Sequence, residues 1–320
     1  MARYLITGIA GFIGSTLAHT LVERGDEVRG IDNLSTGSLD NLADIRDRID
    51  FQQMDLQDAA GMRSACDGVD FILHQAALAS VPRSVKDPLT SHESNINGTL
   101  NLLLAARDAK VRRIVYAASS SAYGDQPTQP KQEDMPPLPL SPYAVQKLAC
   151  EYYLQAFYRT YGLEGICLRY FNIFGPRQAA DSPYSGVIAK FTTTMMAGET
   201  PTINGDGLTS RDFNYVDNAV SANLLACQAP SAVATGRVFN VGTGASHTLN
   251  EVYTAIAGLL GFTGKPIYGP PRAGDIRHSL ADIQRATAEL GYQPKAHFHE
   301  GLQKTVAWYL AGTEKRAAAL

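Results

Sequence analysis

The sequence predicts an α/β fold, a doubly wound parallel sheet with a smaller, discontinuous α/β lobe. Three observations support this. Short apolar runs alternate with helical periodicities through the first half of the chain. A turn with glycines at Gly8, Gly11 and Gly14 joins the first apolar run to the first helical pattern. Polar residues (Asp32, Asp55, Gln75 and 119–121) gather where the apolar runs end. Alternation of strand and helix makes the strands parallel and wraps them in helices. Ligands of such sheets bind beyond the carboxyl ends of the strands.

Taken in order, residues 4–6 read as a buried strand, and 15–24 as a helix with Leu17, Leu21 and Val22 at helical spacing. The glycines therefore sit on a strand-to-helix turn. Gly8 permits the turn, Gly11 lets a phosphate approach the backbone, and Gly14 lets helix pack on strand. The free N–H groups and dipole at the helix start suit a pyrophosphate. The spacing is G-x-x-G-x-x-G, not G-x-G-x-x-G, and alone it reads equally as an ordinary turn. A second strand, 27–31, runs into Asp32, placed to hold a ribose 2′-hydroxyl. Together they indicate a Rossmann-type dinucleotide domain. Asp32 would repel a 2′-phosphate, which favours NAD over NADP.

Strand 51–54, helix 59–66, strand 71–74, helix 98–109 and strand 114–117 continue the alternation. Residues 126–142 are rich in proline and polar residues and read as a loop. Helix 143–161 and strand 165–170 follow. After 174–176 the pattern is less regular. The expected division is a dinucleotide domain over 1–178, rejoined by 215–245 through a strand at 237–241. Residues 179–214 and 246–320 make the second domain, and 316–320 a frayed tail.

Bulk properties exclude several classes. The 320 residues are 45% hydrophobic and 18% charged, ordinary globular values. A net charge of −3 gives no basic footprint for nucleic acid. No apolar run approaches the ~20 residues of a membrane span. Residues 1–3 lead straight into the first strand, so no signal peptide is expected. Cys66, Cys150, Cys167 and Cys227 are scattered, without metal-ligand spacing. They read as reduced core thiols of a cytoplasmic protein.

The chemistry centres on Tyr143 and Lys147, four residues apart and so on one helix face. A nearby ammonium favours phenolate and lowers the tyrosine pKa. Such a tyrosine can move a proton to or from a sugar hydroxyl. The spacing alone is common on helix surfaces. Here a dinucleotide turn precedes it, and the serines 119–121 lie at a strand end where one can relay the same proton.

With these residues the chain resembles the extended short-chain dehydrogenases/reductases, specifically nucleotide-sugar 4-epimerases. The matches are T-G-x-x-G-F-I-G (7–14), D-N-L-S-T-G (32–37), H-Q-A-A (74–77), N-I-N-G-T (95–99), 119–124, 143–147 and R-Y-F-N (169–172). The resemblance implies Tyr143 as catalytic base, Lys147 on the nicotinamide ribose, Ser119 as catalytic serine and Ser121 as a supporting hydroxyl. It implies NAD contacts from Gly8, Gly11, Phe12, Ile13, Gly14, Asp32, Asn33, Ser35, Thr36 and Gly37. Further contacts come from Asp55, Leu56, Gln75, Ala76, Ala77, Ala79, Asn95 and Tyr170. The implied reaction is oxidation at C4 by NAD, rotation of the 4-keto sugar, and return of the hydride to its other face.

The substrate is expected to be a UDP-sugar. Two arginines suit two phosphates. By resemblance Arg211 and Arg272 grip the diphosphate, Asp275 the ribose, and Asn172 the sugar or phosphate. Ser80, Ser121, Val187 and Asn204 complete the expected substrate contacts. In the family, the residue four after the aspartate of R-x-G-D lines the sugar pocket. Here it is Ser279, small enough to admit an acetamido group, which points to UDP-GlcNAc, with UDP-Glc as a second substrate. The segment 178–191 also resembles epimerases that prefer acetamido sugars. A glucuronate epimerase would need a cation, for which Arg177 and Lys190 are candidates. A 4,6-dehydratase would carry Asp-Glu where this chain has Ser120-Ser121. A non-catalytic relative would usually lack the tyrosine or lysine. The resemblance also implies a homodimer pairing helices 98–109 and 143–161.

Overall fold

The computed structural model describes residues 1–180, 186–271 and 276–318. Its first half runs β1 (Arg3–Thr7), α1 (Phe12–Glu23), β2 (Glu27–Asp32), β3 (Asp50–Gln53), α2 (Ala59–Cys66) and β4 (Phe71–His74). It continues with α3 (Val81–Lys86), α4 (Pro88–His92), α5 (Gly98–Asp108), β5 (Arg113–Ser119), α6 (Pro142–Tyr161) and β6 (Glu164–Tyr170). The second half holds β7 (Ile173–Phe174), α7 (Val187–Met196), β8 (Thr202–Asn204), β9 (Ser210–Arg211), β10 (Asn214–Tyr215) and α8 (Val216–Gln228). Then come β11 (Thr235–Val241), β12 (His247–Thr248), α9 (Leu249–Leu260), β13 (Ile267–Gly269), β14 (His278–Ser279), α10 (Gln284–Leu290) and α11 (Phe298–Ala318).

Seven strands form one parallel sheet in the order β11-β6-β5-β4-β1-β2-β3. The returning strand pairs with β6 over the expected 237–241, and reaches back to Thr235 across an irregularity in register. Each central strand is apolar on both sides because both faces are covered. Leu5, Ile72, Ile114 and Cys167 pack toward α2, α5 and α6. Their neighbours Ile6, Leu73, Val115 and Leu168 pack toward α1, α8 and α10. That alternation is the two-residue period of a strand. Arg113, fully buried, donates to the carbonyls of Ala226, Cys227 and Ala229 at the end of α8, at 2.7–3.0 Å. A cation there satisfies the last helical carbonyls and suits the helix dipole.

A third cluster joins Phe174, Ile188, Phe191, Phe213, Val252, Ile256, Phe298 and Leu302 beside the sheet's carboxyl ends. Around it lie two short sheets, β12-β9-β14 and β13-β8. The α1 helix starts at Phe12, three residues earlier than its periodicity suggests, because Gly11 is already its N-cap. Among the described residues, no helix is long and apolar enough to cross a membrane.

Candidate active site

The strand order reverses between β1 and β4, and the crevice at their carboxyl ends is where such sheets bind ligands. Gly8 follows β1 with φ +71°. A Cβ there would lie 2.9 Å from the Ala76 backbone, and a Cβ on Gly14 only 2.1 Å from the Gly8 carbonyl oxygen. Helix and turn thus approach closer than side chains allow. Gly11 caps α1 without a side-chain hydrogen bond, leaving the first N–H groups to a ligand. Phe12 and Ile13, half-buried, open the helix.

The Asp32 carboxylate is buried at the end of β2 and accepts the N–H groups of Ala10 (3.0 Å) and Leu34 (2.8 Å). Burial pushes its pKa up, and these two bonds oppose the rise. Lone pairs remain for a ribose hydroxyl. Asn33 donates to Asp55 at 2.6 Å and accepts the Ser35 N–H at 3.0 Å. Thr36 is exposed. A Cβ on Gly37 would crowd the Ala10 backbone at 2.9 Å, and Leu56 packs where Gly98 lacks a side chain. These residues fit NAD: a side-chain-free pyrophosphate turn, an open helix start, and an acid at the second strand end.

Gln75, Tyr170 and Asn223 close the crevice floor. Gln75 donates to the Asn223 carbonyl oxygen at 3.1 Å, Tyr170 donates to Gln75 at 3.2 Å, and Asn223 donates to the Tyr170 hydroxyl at 2.6 Å. Asn223 arrives from α8, with no local motif in the sequence to mark it. Asn95 is buried in a π-helical turn, Glu93–Asn97. Its amide accepts the Leu78 N–H at 2.8 Å and donates to Gln146 at 2.8 Å. It thereby holds the segment bearing Ala76, Ala77, Ala79 and Ser80. The Ser80 hydroxyl caps α3 by accepting the Arg83 N–H at 3.2 Å.

At the end of β5, Ser119 accepts both the N–H (3.2 Å) and the hydroxyl (2.8 Å) of Ser121. Ser119 also hydrogen-bonds Tyr143, which favours the phenolate. Ser121, Ser119 and Tyr143 therefore form a connected hydroxyl chain. Tyr143 and Lys147 do not couple as their spacing predicts. Burial dominates and pushes the Tyr143 phenol up to about 12, rather than the lysine lowering it. The lysine is turned elsewhere: Nζ donates to the Ala117 carbonyl at 2.6 Å and lies 4.8 Å from the centre of the Tyr116 ring. Burial pulls Lys147 down to about 8, against the nearby Cys150 and Glu151. Sharing a helix face does not make two polar ends meet.

Arg211, Ser279, Asn204 and Val187, expected from the sequence to meet the sugar nucleotide, lie in the second lobe. Arg211 and Ser279 are paired in parallel register, so both side chains leave the same face of their small sheet. Ser279 is buried. Arg211 donates to the Ser210 carbonyl at 2.9 Å. Asn204 lines a cavity of ≈ 660 Å³ with Asp206, Thr209, Tyr268 and Arg277. Arg277, unforeseen from sequence, pairs with Asp206 through two bonds of 2.8 and 2.7 Å. Asn172 is exposed, and its carbonyl accepts the Asn214 N–H at 2.9 Å. Val187 starts α7, whose N-cap Gly186 offers no side-chain bond. Arg272 and Asp275 lie outside the described residues.

Fold and site together define an α/β enzyme that binds a dinucleotide and places a hydroxyl chain beside it. Residues 4–242 match the NAD dependent epimerase/dehydratase family, and the chain belongs to that family. A UDP-glucose 4-epimerase of Mycolicibacterium smegmatis is 42% identical, over 96% of this chain and 98% of its own. The UDP-glucose 4-epimerase of Thermotoga maritima, solved with UDP-glucose, superposes with a TM-score of 0.92 at 37% identity, over 97% of this chain and 99% of its own. The UDP-N-acetylglucosamine 4-epimerase of Methanobrevibacter ruminantium, solved with UDP-N-acetylmuramic acid, superposes with a TM-score of 0.93 at 39% identity and the same coverage. The chain is an isomerase, an NAD-dependent UDP-sugar 4-epimerase.

Proposed function

We propose that the chain interconverts UDP-GlcNAc and UDP-GalNAc, with UDP-Glc and UDP-Gal as a second pair. The observation that carries the sugar assignment is Ser279, small, buried and on the same sheet face as Arg211. If Arg211 holds the diphosphate, the attached sugar lies within reach of that face, and serine leaves space that a tyrosine would fill. Arg177, a candidate partner for a glucuronate carboxylate, donates from Nη2 to Thr16 of α1 at 3.2 Å, while its buried Nε makes no hydrogen bond among the described residues.

NAD, when bound, supplies the acceptor and later the donor of the C4 hydride. Tyr143 takes the C4 hydroxyl proton, and Ser119 and Ser121 steady and relay it. The same chain returns the proton once the keto sugar has turned over. Lys147, held by Ala117, presents its cation to the ribose that Tyr143 adjoins. In this reading 1–178 with 215–245 carry NAD, and 179–214 with 246–320, including Arg272 and Asp275, carry the UDP-sugar.

A substrate panel of UDP-GlcNAc, UDP-Glc and UDP-GlcA tests this. Conversion of UDP-Glc with UDP-GlcNAc left untouched would overturn the acetamido reading. Ser279→Tyr should suppress the acetamido substrate selectively; equal loss on both sugars would also count against it. We further place the enzyme in the cytoplasm, where its four buried free thiols stay reduced. We assign it a homodimer through α5 and α6, whose Leu104, Val145 and Tyr152 are exposed. Tyr152→Glu should yield a monomer in sedimentation; an unchanged mass would reject that contact.

A further inference from the structure

We infer that Gln129 is a positioning residue for Ser279, and through it for sugar selection; this rests on the reading of Ser279 above. The strand bearing Ser279 has two edges. One faces β9: the Arg277 carbonyl accepts the Ser210 N–H at 3.0 Å, and the Ser279 carbonyl accepts the Asp212 N–H at 2.8 Å. Among the described residues the other edge has no neighbouring strand in its sheet, where β14 comes last after β12 and β9. There the Gln129 side chain takes a strand's place. Its Nε2 donates to the His278 carbonyl at 2.8 Å, and its Oε1 accepts the Leu280 N–H at 3.1 Å. One amide thus grips the residues on either side of Ser279. The orientation is unambiguous, because a carbonyl only accepts and an N–H only donates. Lys131 extends the edge: its N–H donates to Leu280 at 2.7 Å, and its carbonyl accepts the Asp282 N–H at 2.9 Å.

Ser279 is held from both edges, so its side-chain direction is set by the Gln129 amide as well as by β9. The grip has a second consequence. Gln129 lies in the segment between Ser119 and Tyr143, so one stretch of chain joins the two proton-moving residues and clamps the sugar-facing strand. Loss of the clamp frees Ser279 to shift toward or away from the sugar. That changes discrimination between hexose and acetamido hexose and leaves the proton chain in place.

The test is a double-substitution cycle on the NAD-loaded full chain, reading kcat and KM for UDP-Glc and UDP-GlcNAc. Gln129→Ala should change the ratio of kcat/KM between the two sugars by about fivefold or more, mostly through KM, since a single hydrogen bond typically carries an effect of that size. Gln129→Glu keeps the shape but sets a carboxylate against the His278 carbonyl, and should shift the ratio as Gln129→Ala does. Gln129→Met fills the same volume without either bond. It covers the case in which the alanine variant folds poorly. In a Ser279→Tyr background these changes should be markedly non-additive. A fall of equal size on both sugars, or strict additivity with Ser279→Tyr in KM for UDP-Glc, overturns the inference. The additivity arm needs no turnover of UDP-GlcNAc, so it judges Gln129 even if the acetamido reading fails. Conversely, a sugar ratio that responds to Ser279→Tyr alone keeps that reading and removes Gln129.

Discussion

Lys147 and Tyr143 share one face of α6, yet the lysine ammonium is hydrogen-bonded to the Ala117 carbonyl at 2.6 Å and does not set the phenol's pKa. Burial keeps Tyr143 protonated until about pH 12 in the ligand-free chain. For Tyr143 to act as a base near neutral pH its phenolate needs a further stabilising charge, and oxidised NAD would bring one in its cationic nicotinamide ring. Tyr143→Phe should cut turnover by about a thousandfold, in the range of a lost general base, with NAD content unchanged. The difference in tyrosinate absorbance between wild type and this variant should appear at lower pH once oxidised NAD is added. A titration unmoved by the cofactor would reject charge tuning of the relay.

Gly14 and Gly258 make opposite predictions for the same substitution. A Cβ on Gly14 meets the Gly8 carbonyl oxygen at 2.1 Å, a backbone atom that cannot swing aside. Gly14→Ala should lose NAD and cost about 3 kcal/mol or more, at the upper end of overpacking effects. A Cβ on Gly258, within α9, meets nothing within 4 Å. Gly258→Ala should stabilise by about 0.5–1 kcal/mol from helix propensity. Thermal unfolding with and without NAD distinguishes the two. Equal shifts would mean that turn packing is not what places Gly14.

The parts of this site legible in the sequence are those with a local pattern. Asp32 was readable because a strand run ends on it, and Ser119 and Tyr143 because a strand end and a helix start expose them. Spacing showed that Tyr143 and Lys147 share a face but not where the ammonium points, because its partner lies on β5, thirty residues earlier. Asn223, Gln129 and Arg277 act through partners 148, 149 and 71 residues away, and no window contains both ends. In the second lobe the strands are two or three residues long, too short to show a period.

His74 predicts an acid limit to stability. Its ring is fully buried between two hydroxyls, with Nδ1 2.7 Å from Thr7 and Nε2 2.9 Å from Thr99. The Thr99 hydroxyl donates to the Asn95 carbonyl at 2.6 Å, so it accepts from Nε2–H, and in the neutral ring Nδ1 is then left to accept from Thr7. That arrangement is the one a neutral ring makes. Burial, reinforced by the charge on Lys147, lowers its pKa from 6.5 to about 3. A depressed folded pKa means that its contribution is complete above about pH 6.5 and is lost as pH falls toward 3. The full loss is on the order of 3–5 kcal/mol by linkage. Denaturant midpoints should fall over this window in wild type and fall less in His74→Gln. Parallel pH profiles would exclude His74 as the titrating group.

The buried pair beneath the relay supplies the last prediction. Arg169 donates to Glu151 through Nε at 2.9 Å and Nη2 at 2.7 Å, with both side chains almost fully buried. The guanidinium also stacks 4.7 Å from the Tyr123 ring centre. Removing either partner strands a charge in the core, at a cost of about 3–5 kcal/mol. Removing both as Glu151→Leu with Arg169→Met should cost less than the sum of the two single changes. Burial already raises the Glu151 pKa, and Arg169 opposes that rise. In Arg169→Met it should climb further, so the folded carboxyl binds a proton that the unfolded chain releases. A raised folded pKa favours the native state at low pH and loses that advantage as pH rises. The deficit of Arg169→Met relative to wild type should therefore be smaller at pH 5 than at pH 8. A deficit independent of pH, or additive costs in the double variant, would show that the two charges do not compensate each other.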